Sequence, residues 1–357
     1  SILVSELLDY VGDALGAKVV TEHPLQSFSR RYFDGHDARL VSHSAELCQA
    51  SSAVRRAVAR SAPFAPTRLP PGGPEWRTVP LARLVQFFTH PSRFLLRERL
   101  GVRIDDADSR VESREPFLLD GLGRYGVRQA LLALQQHGAD AATAERSLRG
   151  RGLLPHGTVG GLAVEAEWSG VQAFGQRLAA LHAGTGLPPL PLALGIGNVC
   201  ITGQLDGLTA DGRIAHRLGR TREKDRVGLW VEHLVLQMVA PTHVARRTRW
   251  LSHDQEFVLT PVPEAAVLLQ ALVACYLDGL ERPLPFFPAS AWDFVSTPKR
   301  PWAAARDRFE GSDFRAGEGD DPYHAVAFRG LDPIDDEFAR LATSIFGPWA
   351  AHEVAGA

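Results

Sequence analysis

One carboxylate, one imidazole and one aliphatic side chain stand where a hydrolytic metal centre would need two acids and a lysine. Ile201-Thr-Gly-Gln-Leu-Asp206-Gly reads as a strand with Asp206 at its end, and Gly212-Arg-Ile-Ala-His216-Arg-Leu218 as the next strand. Phosphodiester cleavage needs acids that hold a divalent ion through oxygen and a cation that orients or polarises the attacking water. Asp206 can supply one such oxygen ligand. If these strands follow the nuclease arrangement implied by the chain's family resemblance, His216 stands in place of the second acid, and Leu218, two positions further, in place of the lysine. Leucine neither binds metal nor carries charge. Asp206 alone would make a weak site, so it is expected to bond backbone donors in the Gly207 turn. Glu165 or Glu167 could be a remnant acid. Glu223, Lys224 and Asp225 could supply charge only through a slipped register, and they read as a polar loop.

Other residues could touch nucleic acid. Arg217, Arg220, Arg222 and Arg226 crowd the second strand, a pattern suited to holding a phosphate backbone without cutting it. Arg246, Arg247 and Arg249 precede Trp250, so phosphate contact with base stacking is possible there, as is a partner-docking patch. Gly195-Ile196-Gly197-Asn198 joins two strands, and its Gly and Asn accept positive φ. That hairpin is either a surface turn or an edge against which a duplex splits. His233 lies on an apolar helical face and reads as a satisfied core histidine. His36, His43 and Cys48 match no ligand spacing.

These groups must be positioned by a sizeable core. The 357 residues suffice for two domains, and 45% hydrophobic with 22% charged residues is an ordinary globular balance. The formal net charge of -2 gives no global attraction to nucleic acid, so any such contact must be a local patch. Cys48, Cys200 and Cys275 are far apart and form no CxxC, which argues against a disulfide framework or metal cluster and fits a reducing cytoplasm. No apolar run is long enough for a membrane span. The first residues carry Glu6, Asp9 and Asp13 and are no signal peptide. Ser1 lies inside what already reads as a helix, so the chain is expected to be a piece of a longer protein.

Periodicity predicts a helix from Ser5, as cap, to Leu15, and a short helix over Ala53–Arg60. Prolines 63, 66, 70, 71, 74 and 80 mark a linker or an extended arm over 63–80. Leu81, Leu84, Phe87 and Phe88 share a face, and Pro91 starts a second helix with Phe94 and Leu95. Further helices are predicted over 117–136, 141–149, 162–182, 229–239 and 263–280, with a last one from 334 to 346. Strands are predicted at 188–194, 199–205, 213–218 and 257–260.

At these motifs the chain resembles the RecC family, the gamma subunits of exodeoxyribonuclease V. Ser1 to Gly12, the Phe87-Phe-Thr-His90-Pro91 stretch within 81–100, Leu229-Trp-Val-Glu-His-Leu-Val235 and Gly317-Glu-Gly-Asp-Asp-Pro-Tyr323 carry the resemblance. It implies an α/β architecture: a degenerate PD-(D/E)XK (restriction-endonuclease-like) nuclease fold with many helices. Residues 1–62 would end an inactive helicase-like domain, 63–80 would be the proline-rich linker, and 81–357 an inactive nuclease-like domain. The resemblance further implies a non-catalytic scaffold that partners RecB and RecD, takes a double-stranded DNA end and guides the separated single strands in double-strand-break repair. The surface that reads Chi would lie mostly upstream. This chain would bind no cofactor itself, ATP and magnesium being used in the partner subunits. An active RecB/AddB-type nuclease and a pure interaction module are the alternatives.

Overall fold

A computed structural model describes residues 2–15, 20–56, 63–104, 117–182 and 186–356. Contacts divide the chain into two units, 1–62 and 63–357. In the first unit, α1 spans Ile2–Leu15 and α2 spans Ala45–Arg56. Ser5 is therefore inside α1 rather than its cap. The second helix begins well before Ala53, because the Ser44 hydroxyl accepts the Leu47 N–H (3.2 Å) and starts it there. Arg60 lies outside the described residues. Leu40 is buried, while Ile2, Leu3, Leu7 and Tyr10 of α1 are exposed.

The second unit begins as an arm. Leu69 N–H bonds the Glu281 carbonyl, Arg68 pairs with Asp278 and Trp76 is buried, so the proline-rich stretch packs across the unit. It ends in β1 (Thr78–Pro80), which pairs in parallel with a later strand. Then come α3 (Leu81–Thr89), α4 (Pro91–Phe94) with a short π turn after it, α5 (Gly121–Gln136), α6 (Ala141–Gly150) and α7 (Gly157–Leu181). The four apolar residues predicted for one face of α3 are all buried. Asp120 and Asp140 cap α5 and α6 by accepting the Gly123 and Thr143 N–H groups. Helix α7 starts earlier than predicted; glycines at 157, 160 and 161 lower local helix propensity and hide its first turn in the sequence.

Four strands follow: β2 (Leu190–Ile196), β3 (Val199–Leu205), β4 (Leu208–Thr209) and β5 (Gly212–His216). Next come α8 (Glu223–Val239), β6 (Thr248–Leu251), β7 (Glu256–Leu259), α9 (Ala265–Gly279), α10 (Pro288–Ser296) and α11 (Pro301–Glu310). The hairpin strands β8 (Gly311–Ser312) and β9 (Arg315–Ala316), then α12 (Pro322–Ala327), α13 (Asp336–His352) and β10 (Glu353–Ala355) complete the order. Glu223, Lys224 and Asp225, read as a loop, are instead the first turn of α8. The Asp225 carboxylate accepts the Arg222 N–H (2.9 Å), and two acids suit the positive end of the helix dipole.

The strands form a three-stranded sheet ordered β1-β3-β2, a five-stranded sheet ordered β10-β7-β6-β5-β4, and the β8–β9 hairpin. The architecture is mixed α/β with many helices and small sheets. Helix α8 is apolar nearly all round and forms the axis of the main core, with Trp230, Leu234, Val235 and Leu236 essentially inaccessible. Each such side chain contributes about 1.5–3 kcal/mol of burial. A second apolar layer joins α5, α6 and α7 to β5 and β6 through Leu131, Phe174, Leu178, Ile214, Leu218 and Leu251. Among the described residues, no helix is long and apolar enough to cross a membrane.

Candidate functional site

The strands carrying Asp206 and His216 are not direct neighbours. β3, which ends just before Asp206, belongs to one sheet and β5 to the other; β5 pairs with β6 on one side and on the other with the short β4, Leu208 against Arg213 and Thr209 against Gly212. The ladder's last bond joins the Ile214 N–H to the Gly207 carbonyl (2.8 Å), so Asp206 is the first residue past it. The expectation that Asp206 bonds donors of the Gly207 turn is corrected. Its carboxylate is exposed and has no hydrogen-bond partner among the described residues; only its backbone carbonyl is used, by Arg213 Nε (3.0 Å).

Ile214 of β5 and Leu218, two residues past the strand's end rather than within it as predicted, pack in the α5–α7 layer, and the His216 ring lies 6.2 Å from that of Phe174. Desolvation, then the charge of His182, lowers the His216 pKa, so the imidazole is neutral near pH 7. Leu218 is 4% exposed and packs in the second apolar layer. A lysine there would bring its ammonium into that layer. Arg217, on the opposite face, bonds Asp225 (2.8 Å) and lies over the Tyr125 ring at 5.4 Å. Glu167, a remnant-acid candidate, ties α7 to Arg124 and Arg128 of α5. Among the described residues, no three of His, Cys, Asp and Glu gather as a metal would require. One free carboxylate and one neutral imidazole do not make up the oxygen ligand set of a magnesium centre.

The arginine sets separate sharply. Arg226, 7% exposed, bonds Glu353 and Gln255 and lies against the rings of Phe257, Trp292 and Trp349. It is a core arginine and is corrected as a backbone contact. Arg220 and Arg222 are exposed, with no ion-pair partner among the described residues. Arg246 is exposed, Arg247 bonds Asp211, and Arg249 is half-buried with a buried, unpartnered Nε. Trp250 cannot stack a base: it is buried on Phe257, and its Nε1 donates to Thr221 Oγ1 (2.9 Å). His233 is a satisfied core histidine, bonded at Nδ1 to Thr248 Oγ1 (2.8 Å) and at Nε2 to the Thr260 carbonyl (3.0 Å).

The 195–198 stretch is a hairpin with Ile196 opposite Val199. Gly197 has φ +57° while Asn198 stays at negative φ, the pattern of a type II′ turn. Ile196 belongs to the core, leaving Gly195, Gly197 and Asn198 exposed.

One cluster was missed by the sequence reading. His90, Arg93, Lys224, Glu318, Asp321 and His324 line a cleft of about 410 Å³. Asp321 contacts His90 Nε2 (3.1 Å) and Arg93 (3.0 Å). The His90 ring stacks on His324 at 4.1 Å, and His324 Nδ1 bonds Ser92 Oγ (2.9 Å). Burial raises the Asp321 pKa, but the His90 bond and charge outweigh it and hold the carboxyl far below its usual range. Burial, then the charge of His90, keeps His324 neutral. Burial raises the Glu318 pKa against the bonds it accepts from Ser290 and Ala289 at the start of α10. The family-like His90-Pro91 and Gly317–Tyr323 stretches were visible; their meeting across more than two hundred residues was not.

Comparison with known proteins gives a consistent result. Residues 76–298 match the model of the RecC C-terminal domain. The chain is 29% identical over 365 residues to the RecBCD enzyme subunit RecC of Escherichia coli (strain K12), covering 93% of this chain and 32% of that protein. It is 26% identical over 293 residues to the Haemophilus influenzae RecC subunit, covering 78% and 25% respectively. It is 25% identical over 373 residues to that of Mycobacterium tuberculosis, covering 100% and 33%. The chain thus spans about a third or less of the length of these relatives.

Proposed function

The chain belongs to the RecC C-terminal domain family, and on that premise we propose that it is a non-catalytic scaffold in a RecBCD-type helicase–nuclease. Its second unit is a degenerate PD-(D/E)XK nuclease fold. It docks RecB and RecD and guides and splits DNA strands during double-strand-break repair. Duplex driven by the partners' ATP-fuelled motors parts against a rigid edge of this domain, and the strands then follow cationic surface. ATP and magnesium act in the partners.

The observation that carries this reading is Leu218. Where a nuclease needs a cation reaching toward the scissile phosphate, this chain has an aliphatic side chain that holds the α5–α7 layer to β5. Electrostatic stabilisation and water activation are both lost with that exchange. Exposed Arg220, Arg222 and Arg246 support strand guidance, since phosphate contact needs cations free of internal partners. Exposed Phe117, Leu118 and Leu122 at the start of α5 support docking to a partner. The test is co-purification of the full-length protein with RecB and RecD, followed by strand separation with variants of the 195–198 hairpin. Assembly with impaired separation agrees with the proposal. Assembly and separation that survive both the hairpin variants and Arg220→Ala/Arg222→Ala/Arg246→Ala leave a docking module only.

A further inference from the structure

The cleft beside the start of α8 has more cationic than anionic groups left over. Asp321 is taken by His90 and Arg93, Glu223 by Arg308 (3.3 Å), and Glu318 by the backbone and hydroxyl donors at the start of α10. Arg222 and Lys224, which also line the cleft, have no acid within ion-pair distance among the described residues. Burial, then the charge of Arg222, with smaller contributions from Arg217 and Arg93, lowers the Lys224 pKa against the opposing charge of Asp225. Crowded, partly desolvated cations of this kind are relieved by an anion.

A second feature lies just before the cleft residues Gly317 and Glu318 in the chain. The β8–β9 hairpin pairs Ser312 with Arg315, so Asp313 and Phe314 form its tip. Phe314 is 100% exposed. The hairpin's base is tight: a Cβ on Gly311 would lie 2.3 Å from the Gly317 N, and one on Gly317 would lie 2.2 Å from the Phe309 carbonyl. Arg315 bonds the Asp307 carbonyl (3.2 Å). The hairpin that carries this ring is therefore closely packed at its base. Phe314 precedes the cleft residue Gly317 by three positions, a separation of at most about 11 Å along the chain.

Cations that track a backbone, next to an aromatic face that accepts any base, are the two parts of single-strand recognition. We propose that this cleft binds a phosphate of a single-stranded nucleic acid through Arg222 and Lys224, with Arg93 on its wall, and that Phe314 stacks a base of the same strand. This rests on the strand-guiding reading above and adds where one strand is held.

The experiment uses the full-length protein with oligothymidylate at several salt concentrations. It compares Arg222→Ala/Lys224→Ala with Phe314→Ala, all at exposed positions. The double variant is expected to weaken binding about tenfold and to lower the salt slope by about 0.7, for the one phosphate no longer neutralised. Phe314→Ala is expected to weaken it about fivefold or more with an unchanged slope. Ultraviolet cross-linking to bromodeoxyuridine oligonucleotide should recover the peptide containing Phe314. Three results would overturn the proposal: unchanged affinity and slope in both variants; inorganic phosphate or thymidine monophosphate binding as tightly as the oligonucleotide; or Phe314→Ala impairing co-purification with partner subunits while oligonucleotide binding stays intact. A chain that fails to separate strands in the assembly yet shows both variant effects keeps this site and loses only the scaffold reading.

Discussion

Two regions a few residues apart in sequence have met opposite fates. Around the end of β5 little charge is organised: Leu218 is buried, His216 is exposed with its ring 6.2 Å from that of Phe174, and the Asp206 carboxylate has no partner among the described residues. At the start of α8 and the cleft before it, charge has been kept, with Asp321, His90 and Arg93 paired and Arg222 and Lys224 unpaired. The difference teaches that neighbouring stretches of one chain can divide between apolar packing and an open, charged surface.

That contrast can be broken by stability measurements. The largest effect is expected within the arginine set itself. Arg226→Ala should cost about 3 kcal/mol or more in urea unfolding, because it removes the ion partner of Glu353, leaving that carboxylate only the Trp349 Nε1 bond, and opens a hole among three aromatic rings. Arg220→Ala, at an exposed neighbour, should be near neutral. Leu218→Ala should cost about 2–5 kcal/mol if the leucine is structural. A much smaller loss would say that the position is not core.

Next comes a pH effect. Burial pushes the His233 pKa down to about 4, against the ordinary 6.5. Its folded pKa lies below the unfolded one, so protonation favours the unfolded chain. Stability from this group is full above pH 6.5 and falls as pH drops from 6.5 toward 4. Going from pH 7 to pH 5 should remove about 2 kcal/mol, and His233→Gln should flatten that part of the profile. The smallest effect is expected at Asp206. Asp206→Asn should shift stability by no more than about 0.5 kcal/mol, since the carboxylate holds nothing.

Much of this was legible in the chain. The apolar stripe of α3, the helical pattern around Trp230 and the Gly–Asn turn before Val199 each follow from local periodicity or turn chemistry. That Leu218 can neither bind a metal nor carry charge was legible from its residue type alone. What stayed hidden depends on partners far along the chain. Trp250 and Arg226 read as nucleic-acid contacts until the sheet brings Phe257, and α13 brings Trp349, against them. The α8 start read as a loop because its cap is an arginine backbone bonded by Asp225 rather than a Ser or Thr side chain. Asp321 lies 231 positions after His90 by number, so no spacing rule could have joined them into one cleft.

The central claim is that the Asp206–His216–Leu218 region performs no cleavage. Full-length protein, free of partner subunits, should be incubated with end-labelled duplex and single-stranded DNA in magnesium and then in manganese. The account predicts no loss of label with either ion, and the same result for Asp206→Asn. Manganese-dependent release of label that disappears in Asp206→Asn would contradict it.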